Sequence, residues 1–191
     1  VLAGDELRGA DGALLSVPQE HDLYAHLGLD YCEPELREGE GEVESALRHA
    51  LPTLVTESAL VGALHCHSQY SDGGSGIATM AEAARARGLT YLGVSDHSQS
   101  NTLAGGLSRD DIIAQHLEID ALNAAFAQRG VVFRVLKGIE ADILPCGRLD
   151  YDADFLSRFD FVIGSIHTRY GMNEQQMTTR VLKALDDPHL T

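Results

Sequence analysis

A chain of 191 residues, 44% apolar and 23% charged, has the size and make-up of one soluble domain with a core and at most a small appendage. Its net charge of −15 argues against a protein that grips nucleic acid through its own Lys and Arg. No apolar run reaches the ~18 residues that a membrane helix needs, so no membrane partner is expected. Cys32, Cys66 and Cys146 are odd in number, widely spaced and without a C-x-x-C pair. That argues against a disulfide framework or a cysteine zinc site and favours a cytoplasmic setting.

Residues 1–60 carry 3 Lys+Arg against 13 Asp+Glu and too little apolar material for a separate core. "ELRGADGALLSV" predicts a weak hairpin around Asp11-Gly12. "EHDLYAHLGL" predicts a short helix closing at Gly28, and "EPELREGEGEVESA" reads as an acidic connecting stretch. From residue 61 the rhythm becomes strand, loop, helix. "VGALHCHS" predicts a strand. "SGIATMAEAARARG" predicts a helix capped by Ser75 and stopped at Gly88. "LTYLGVSDHS" reads as a strand buried on both faces. "SRDDIIAQHLEIDALNAAFAQRG" predicts a helix capped by Ser108, with Ile112, Ile119, Leu122 and Phe126 on one stripe. "VVFRVLKGIEADI" and "FDFVIGSIHT" predict two further strands, separated by "DADFLSRF". "NEQQMTTRVLKALDD" predicts a closing helix with a Met177, Val181, Leu185 stripe.

Repeated βα units imply an α/β fold with a parallel sheet. About four units are present, whereas a closed βα barrel needs roughly 200 residues or more, so the sheet is expected to be open or part of a barrel. The chain begins at Val1 and ends on "DDPHLT", and it reads as a piece of something longer.

Every predicted strand of the second part ends in groups able to bind metal: His65 and His67, then Asp96 and His97, then Glu140 and Asp142, then His167. The C-terminal edge of a parallel sheet is where such folds bind ligands. His65 and His67 are two apart on a strand, so both point to one side while Cys66 points away as a small apolar residue. Asp142 is expected either to orient a ligand or to face solvent. His21, His26 and His49 fall in the polar first part, His116 beside a helix stripe and His189 near the chain end, and none is read as a ligand. A Ser68, Ser71 or Cys66 nucleophile with a histidine base is the competing reading, but there is no G-x-S-x-G elbow. Metal-activated water accounts for all the clustered groups, and a Ser/His pair for only two of them.

The segments "LHCHSQYSDG", "YLGVSDHS", "LKGIEADIL" and "IGSIHT" resemble the successive motifs of the PHP (polymerase and histidinol phosphatase) family. "LYAHLGLDYCEPELREGEGEVESA" resembles the segment joining thumb to PHP domain in bacterial and archaeal family X DNA polymerases. The resemblance implies a C-terminally shortened (β/α)7 PHP-type barrel, with residues 1–60 as the end of the thumb and a linker, and residues 61–191 as the first part of the PHP domain. It implies up to three divalent metals, Mn²⁺ or Zn²⁺ with Fe²⁺ as a further option. His65 and His67 would bind the first, Glu140 would bridge first and second, His167 would sit on the second, and Asp72 and His97 would hold the third. His67 and Glu140 would act in catalysis with Asp96 as an orienting neighbour. Two later ligand motifs of the family lie beyond Thr191, so each metal would lack one ligand. The family's polymerase palm is absent as well.

The function so implied is a metal-dependent nuclease of DNA repair that trims DNA 3′ ends, some relatives also cutting at abasic sites, joined to a polymerase domain in a longer protein. Two alternatives are a small-molecule phosphoesterase of the histidinol phosphate type and a degenerate module that braces a polymerase. The joining segment disfavours the first, and the six filled ligand positions disfavour the second.

Overall fold

The computed structural model describes residues 2–3, 6–9 and 11–191 and divides into two compact units, 1–56 and 57–191. In the first unit, β1 (Leu2–Ala3) pairs antiparallel with β2 (Glu6–Leu7). The expected turn at Asp11-Gly12 is present, with Gly9 N–H donating to Ala13 O and Arg8 bridged to Leu14. Two helices follow, α1 (Glu20–His26) and α2 (Glu42–Leu47). The acidic stretch is thus more structured than its composition suggests. The Glu42 carboxylate accepts from the N–H groups of Gly39 and Glu40 and starts α2. Arg37 ties the unit together by bonding the Glu20 carboxylate, the Tyr31 hydroxyl and the Cys32 carbonyl. Among the described residues of this unit, Cys32 and Ala46 are the buried apolar ones, so its core is small.

In the second unit β3 (Gly62–Cys66), β4 (Tyr91–Val94), β5 (Arg134–Asp142) and β6 (Phe161–Ser165) form a parallel sheet in that order. Each new strand adds on the same side of its predecessor, the progression of a curled half-barrel rather than of a doubly wound sheet. The connections are α3 (Ile77–Ala86), α4 (Arg109–Gln128) and the short α5 (Ala153–Leu156), with α6 (Glu174–Leu185) after β6. One core lies between sheet and helices α3 and α4, built on Ile77, Leu92, Val94, Ile119, Phe126 and Val135. Cys66 packs against it, and burial raises its thiol pKa. The other core gathers Ile112, Ile139, Tyr151, Leu156 and Val162. Phe161 lies across two neighbouring strands at Gly138 and Gly93, where an added Cβ would come within 2.1 Å and 2.7 Å of its ring.

Helix ends and faces differ from the sequence reading at two places. Ser108 caps α4 in a reciprocal box with Asp111, as expected. Helix α3, however, is capped by Gly76 without a side-chain bond, and Ser75 lies one residue before the cap, its carbonyl accepting from Gln69 N–H in the preceding loop. In α6 the buried positions are Arg180 and Ala184, while of the expected stripe Met177 and Val181 are half-buried and Leu185 is exposed, so the packed face is turned from the expected one. The Arg180 guanidinium turns inward to donate to the carbonyls of Ile143, Leu144 and Thr168. The Leu144 carbonyl also accepts from Gly147 N–H, while for the Ile143 and Thr168 carbonyls, past the ends of β5 and β6, Arg180 supplies the donor.

His116 sits edge-on to Phe159, with ring centroids 4.9 Å apart. Burial pushes its pKa from 6.5 down to about 4. The unfolded chain therefore takes up this proton near its ordinary pKa while the folded chain resists it, and stability falls as pH drops through that window. His116→Leu removes the effect. Between pH 7 and pH 4.5 the wild type is expected to lose about 1 kcal/mol more stability than the variant, solvent at this half-buried site screening part of the shift, as read from urea unfolding. Equal losses would show that the imidazole is not desolvated.

Candidate metal centre

The C-terminal ends of the four strands place the site. His65 lies in β3 and His67 just past it, on the same side as expected from strand alternation. The continuation of β4 runs beside Glu140: Glu140 N–H donates to Asp96 O, and Ser98 N–H donates to Glu140 O. This brackets His97 and sets its ring next to the Glu140 carboxylate. His167 follows β6.

The six positions read as ligands come together in three overlapping groups: His65, His67 and Glu140; His67, Asp72 and His97; and His97, Glu140 and His167. Within each group the ligand atoms lie within 4.8 Å of one another. Glu140 is 5% exposed and has only histidines as ion-pair neighbours. The Nε2 atoms of His65, His67 and His167 stand 3.5, 3.5 and 3.4 Å from its oxygens. Those separations exceed an ordinary N–H···O bond. Two atoms sharing one tetrahedral ion at about 2.1 Å would be about 3.4 Å apart, so the spacing suits ligation better than direct bonding. Glu140 Oε2 is 2.8 Å from His97 Nδ1 yet is buried without a hydrogen bond. A buried anionic oxygen left unpaired among imidazoles is costly without a cation. The donor set of imidazoles and carboxylates therefore fits divalent Zn²⁺, Mn²⁺ or Fe²⁺ better than Mg²⁺, which prefers oxygen and water.

The rings are aimed from behind. His67 Nδ1 bonds Asp72 Oδ1 at 2.9 Å, leaving Nε2 toward Glu140. His167 Nδ1 bonds Asp142 Oδ1 at 2.6 Å, leaving Nε2 toward Glu140 as well. Carboxylate–imidazole pairs of this kind fix the tautomer and ring angle of metal-binding histidines. Asp142, left between two roles by the sequence, is 2% exposed and takes the orienting one. Its N–H donates to Ser98 Oγ, whose hydroxyl donates to Asp150. Asp72 has a second geometry, with its other oxygen 3.5 Å from His97 Nε2.

Asp96 stands apart from all three groups. Its carboxylate accepts from Ser68 N–H and Oγ, Ser71 Oγ and Gln115 Nε2. It holds the 68–72 loop that presents Asp72, so any part it takes at the site is an orienting one, exerted through that loop. The same bonds occupy the hydroxyls of Ser68 and Ser71, so neither is poised as a nucleophile. Gly73 closes this loop by bonding back to Ser68 O. A Cβ there would lie 2.1 Å from the His67 carbonyl oxygen, so only glycine fits.

A half-barrel with this histidine and carboxylate edge defines a metal-binding α/β module of the PHP kind. Residues 63–189 match the PHP domain model, and the chain belongs to the PHP domain family. Residues 2–38 match the DNA polymerase beta thumb model. The chain is 42% identical over 179 residues to the "DNA polymerase/3′-5′ exonuclease PolX" of Bacillus subtilis (strain 168). The alignment covers 94% of this chain and 30% of that relative. Thumb and PHP matches in this order mark the chain as PHP-domain sequence of the family X DNA polymerases. Among the described residues no helix is long and apolar enough to cross a membrane.

Proposed function

We propose that this chain is the nuclease module of a family X polymerase, hydrolysing phosphodiesters at DNA 3′ ends in repair, with cleavage at abasic sites as an associated activity. In this reading residues 1–60 are the end of the thumb and its linker, and residues 61–191 belong to the PHP domain. The observation that carries it is the buried Glu140 carboxylate, its Oε2 without a hydrogen bond, with three histidine Nε2 atoms at ligand-to-ligand spacing. The 3′-5′ exonuclease in the Bacillus relative's name supports the same direction. Three free cysteines suit a cytoplasmic setting.

His65, His67, Asp72, His97, Glu140 and His167 would hold the metals, Mn²⁺ being the first choice. Bound divalent ions would neutralise the phosphodiester, acidify a water and stabilise the departing 3′ oxygen. The chain's own part is to hold the ligand rings at fixed angles through Asp72 and Asp142, and to keep Glu140 buried so that its charge is not spent on water. DNA itself is expected to be gripped mainly by the polymerase part of a longer protein, since this chain has a net charge of −15.

The test is Mn²⁺-dependent digestion of a 5′-labelled oligonucleotide, with His67→Ala alongside. His67 serves two of the three groups, so the variant should lose at least ~100-fold in shortening from the 3′ end. Full activity in the variant would refute the assignment.

A further inference from the structure

The turn after His167 carries features that metal binding does not use. Tyr170 is 69% exposed, the one aromatic among the exposed large apolar residues described. Its hydroxyl donates to Ile166 O at 2.8 Å. That bond lays the ring along the backbone that carries His167 and removes the usual polar reason for a tyrosine to face water. Next to it, Arg169 is exposed and sits in the left-handed region at φ 61°, an uncommon conformation for a residue with a side chain. Among the described residues its guanidinium has no hydrogen-bond or ion-pair partner, although the chain is acidic. The turn is braced from beneath: Arg180 donates to Thr168 O at 2.9 Å and approaches Met172 Sδ at 3.7 Å, and Met172 N–H donates to Arg169 O. A rigid turn thus holds an open aromatic face and an unpaired cation beside a metal-binding edge.

That pairing matches single-stranded nucleic acid, whose bases stack on aromatic faces and whose phosphates take charged donors. We propose that Arg169 and Tyr170 form a substrate subsite. The Tyr170 ring stacks on a nucleobase adjoining the scissile phosphate, and Arg169 binds a neighbouring phosphate. This rests on the nuclease reading and adds to it that the substrate end is unpaired and read through a base face.

The experiment uses the Mn²⁺-loaded protein and three 5′-labelled single-stranded oligonucleotides. One is unmodified, and the others carry a base-free tetrahydrofuran residue at the last or the second-last position. KM is measured for each, together with affinity by fluorescence anisotropy in the presence of chelator. Removal of one of the two bases should weaken KM and affinity about tenfold in the wild type. Tyr170→Ala should lose this discrimination, and Tyr170→Phe, which keeps the ring, should retain it. Arg169→Ala should weaken all three substrates alike and flatten the salt dependence. Because discrimination is a ratio within each variant, a general loss of activity cannot imitate it. If the wild type cuts none of the three, the nuclease reading falls. If it cuts them and Tyr170→Ala discriminates as well as the wild type, the subsite is overturned while that reading stands.

Discussion

Glu140→Gln is expected to have opposite effects on stability with and without metal. In chelator, at a pH where histidines are neutral, the variant should be more stable than the wild type by about 1–3 kcal/mol. It removes a buried negative charge whose Oε2 has no hydrogen bond. With Mn²⁺ present the order should reverse, because Glu140 belongs to two of the three ligand groups and an amide is a poor replacement for an anionic ligand. Mn²⁺ affinity should fall at least ~100-fold, beyond the usual cost of losing an orienting partner, and the stabilisation conferred by metal falls with it. Thermal unfolding in chelator and in Mn²⁺ reads both signs. If Glu140 were merely the partner of charged histidines, the substitution would destabilise the metal-free protein as well.

Asp96→Ala should be the most damaging substitution to the fold near the site. Asp96 is fully buried, and its removal leaves four donors unpaired, from Ser68, Ser71 and Gln115. Each buried neutral donor left unpaired costs about 1–3 kcal/mol. The loop it holds carries Asp72, so the metal shared by Asp72 and His97 should be weakened too. Asp96→Asn, which keeps one acceptor oxygen, should lose less. Urea unfolding checks the order, and a loss under about 1 kcal/mol for Asp96→Ala would show that other groups hold the loop.

The strand ends were legible because both rules behind them are local. A period of two puts His65 and His67 on one side, and parallel sheets gather ligands at one edge. A parallel sheet followed from repeated βα units, which left an open sheet and part of a barrel both standing until the PHP resemblance pointed to the barrel, and Ser108 announced the start of α4. The same period of two carries the signal that separates Asp96 from His97: consecutive residues on extended backbone point to opposite sides, so the pair cannot both face one site. Asp142 was ambiguous because a carboxylate two residues after Glu140 either meets a ring or meets water, and only the placement of β6 beside β5 brings His167 within 2.6 Å. Arg180 was invisible for a related reason. Sequence counts it as a polar helix residue, and its buried position is set by carbonyls of Ile143, Leu144 and Thr168 that sequence does not bring together. The helix α2 was missed because its start depends on Glu42 capping its own preceding turn, within a stretch whose acidity suggested a linker.

The most direct measurement of the central claim is an X-ray structure of crystals soaked in Mn²⁺, with data collected where manganese scatters anomalously. Anomalous peaks are expected about 2.0–2.2 Å from His65 Nε2, His67 Nε2 and Glu140, with further peaks in the two groups that share His97. No peak among these six residues at millimolar Mn²⁺, with Glu140 bonded directly to protonated histidines instead, would contradict it.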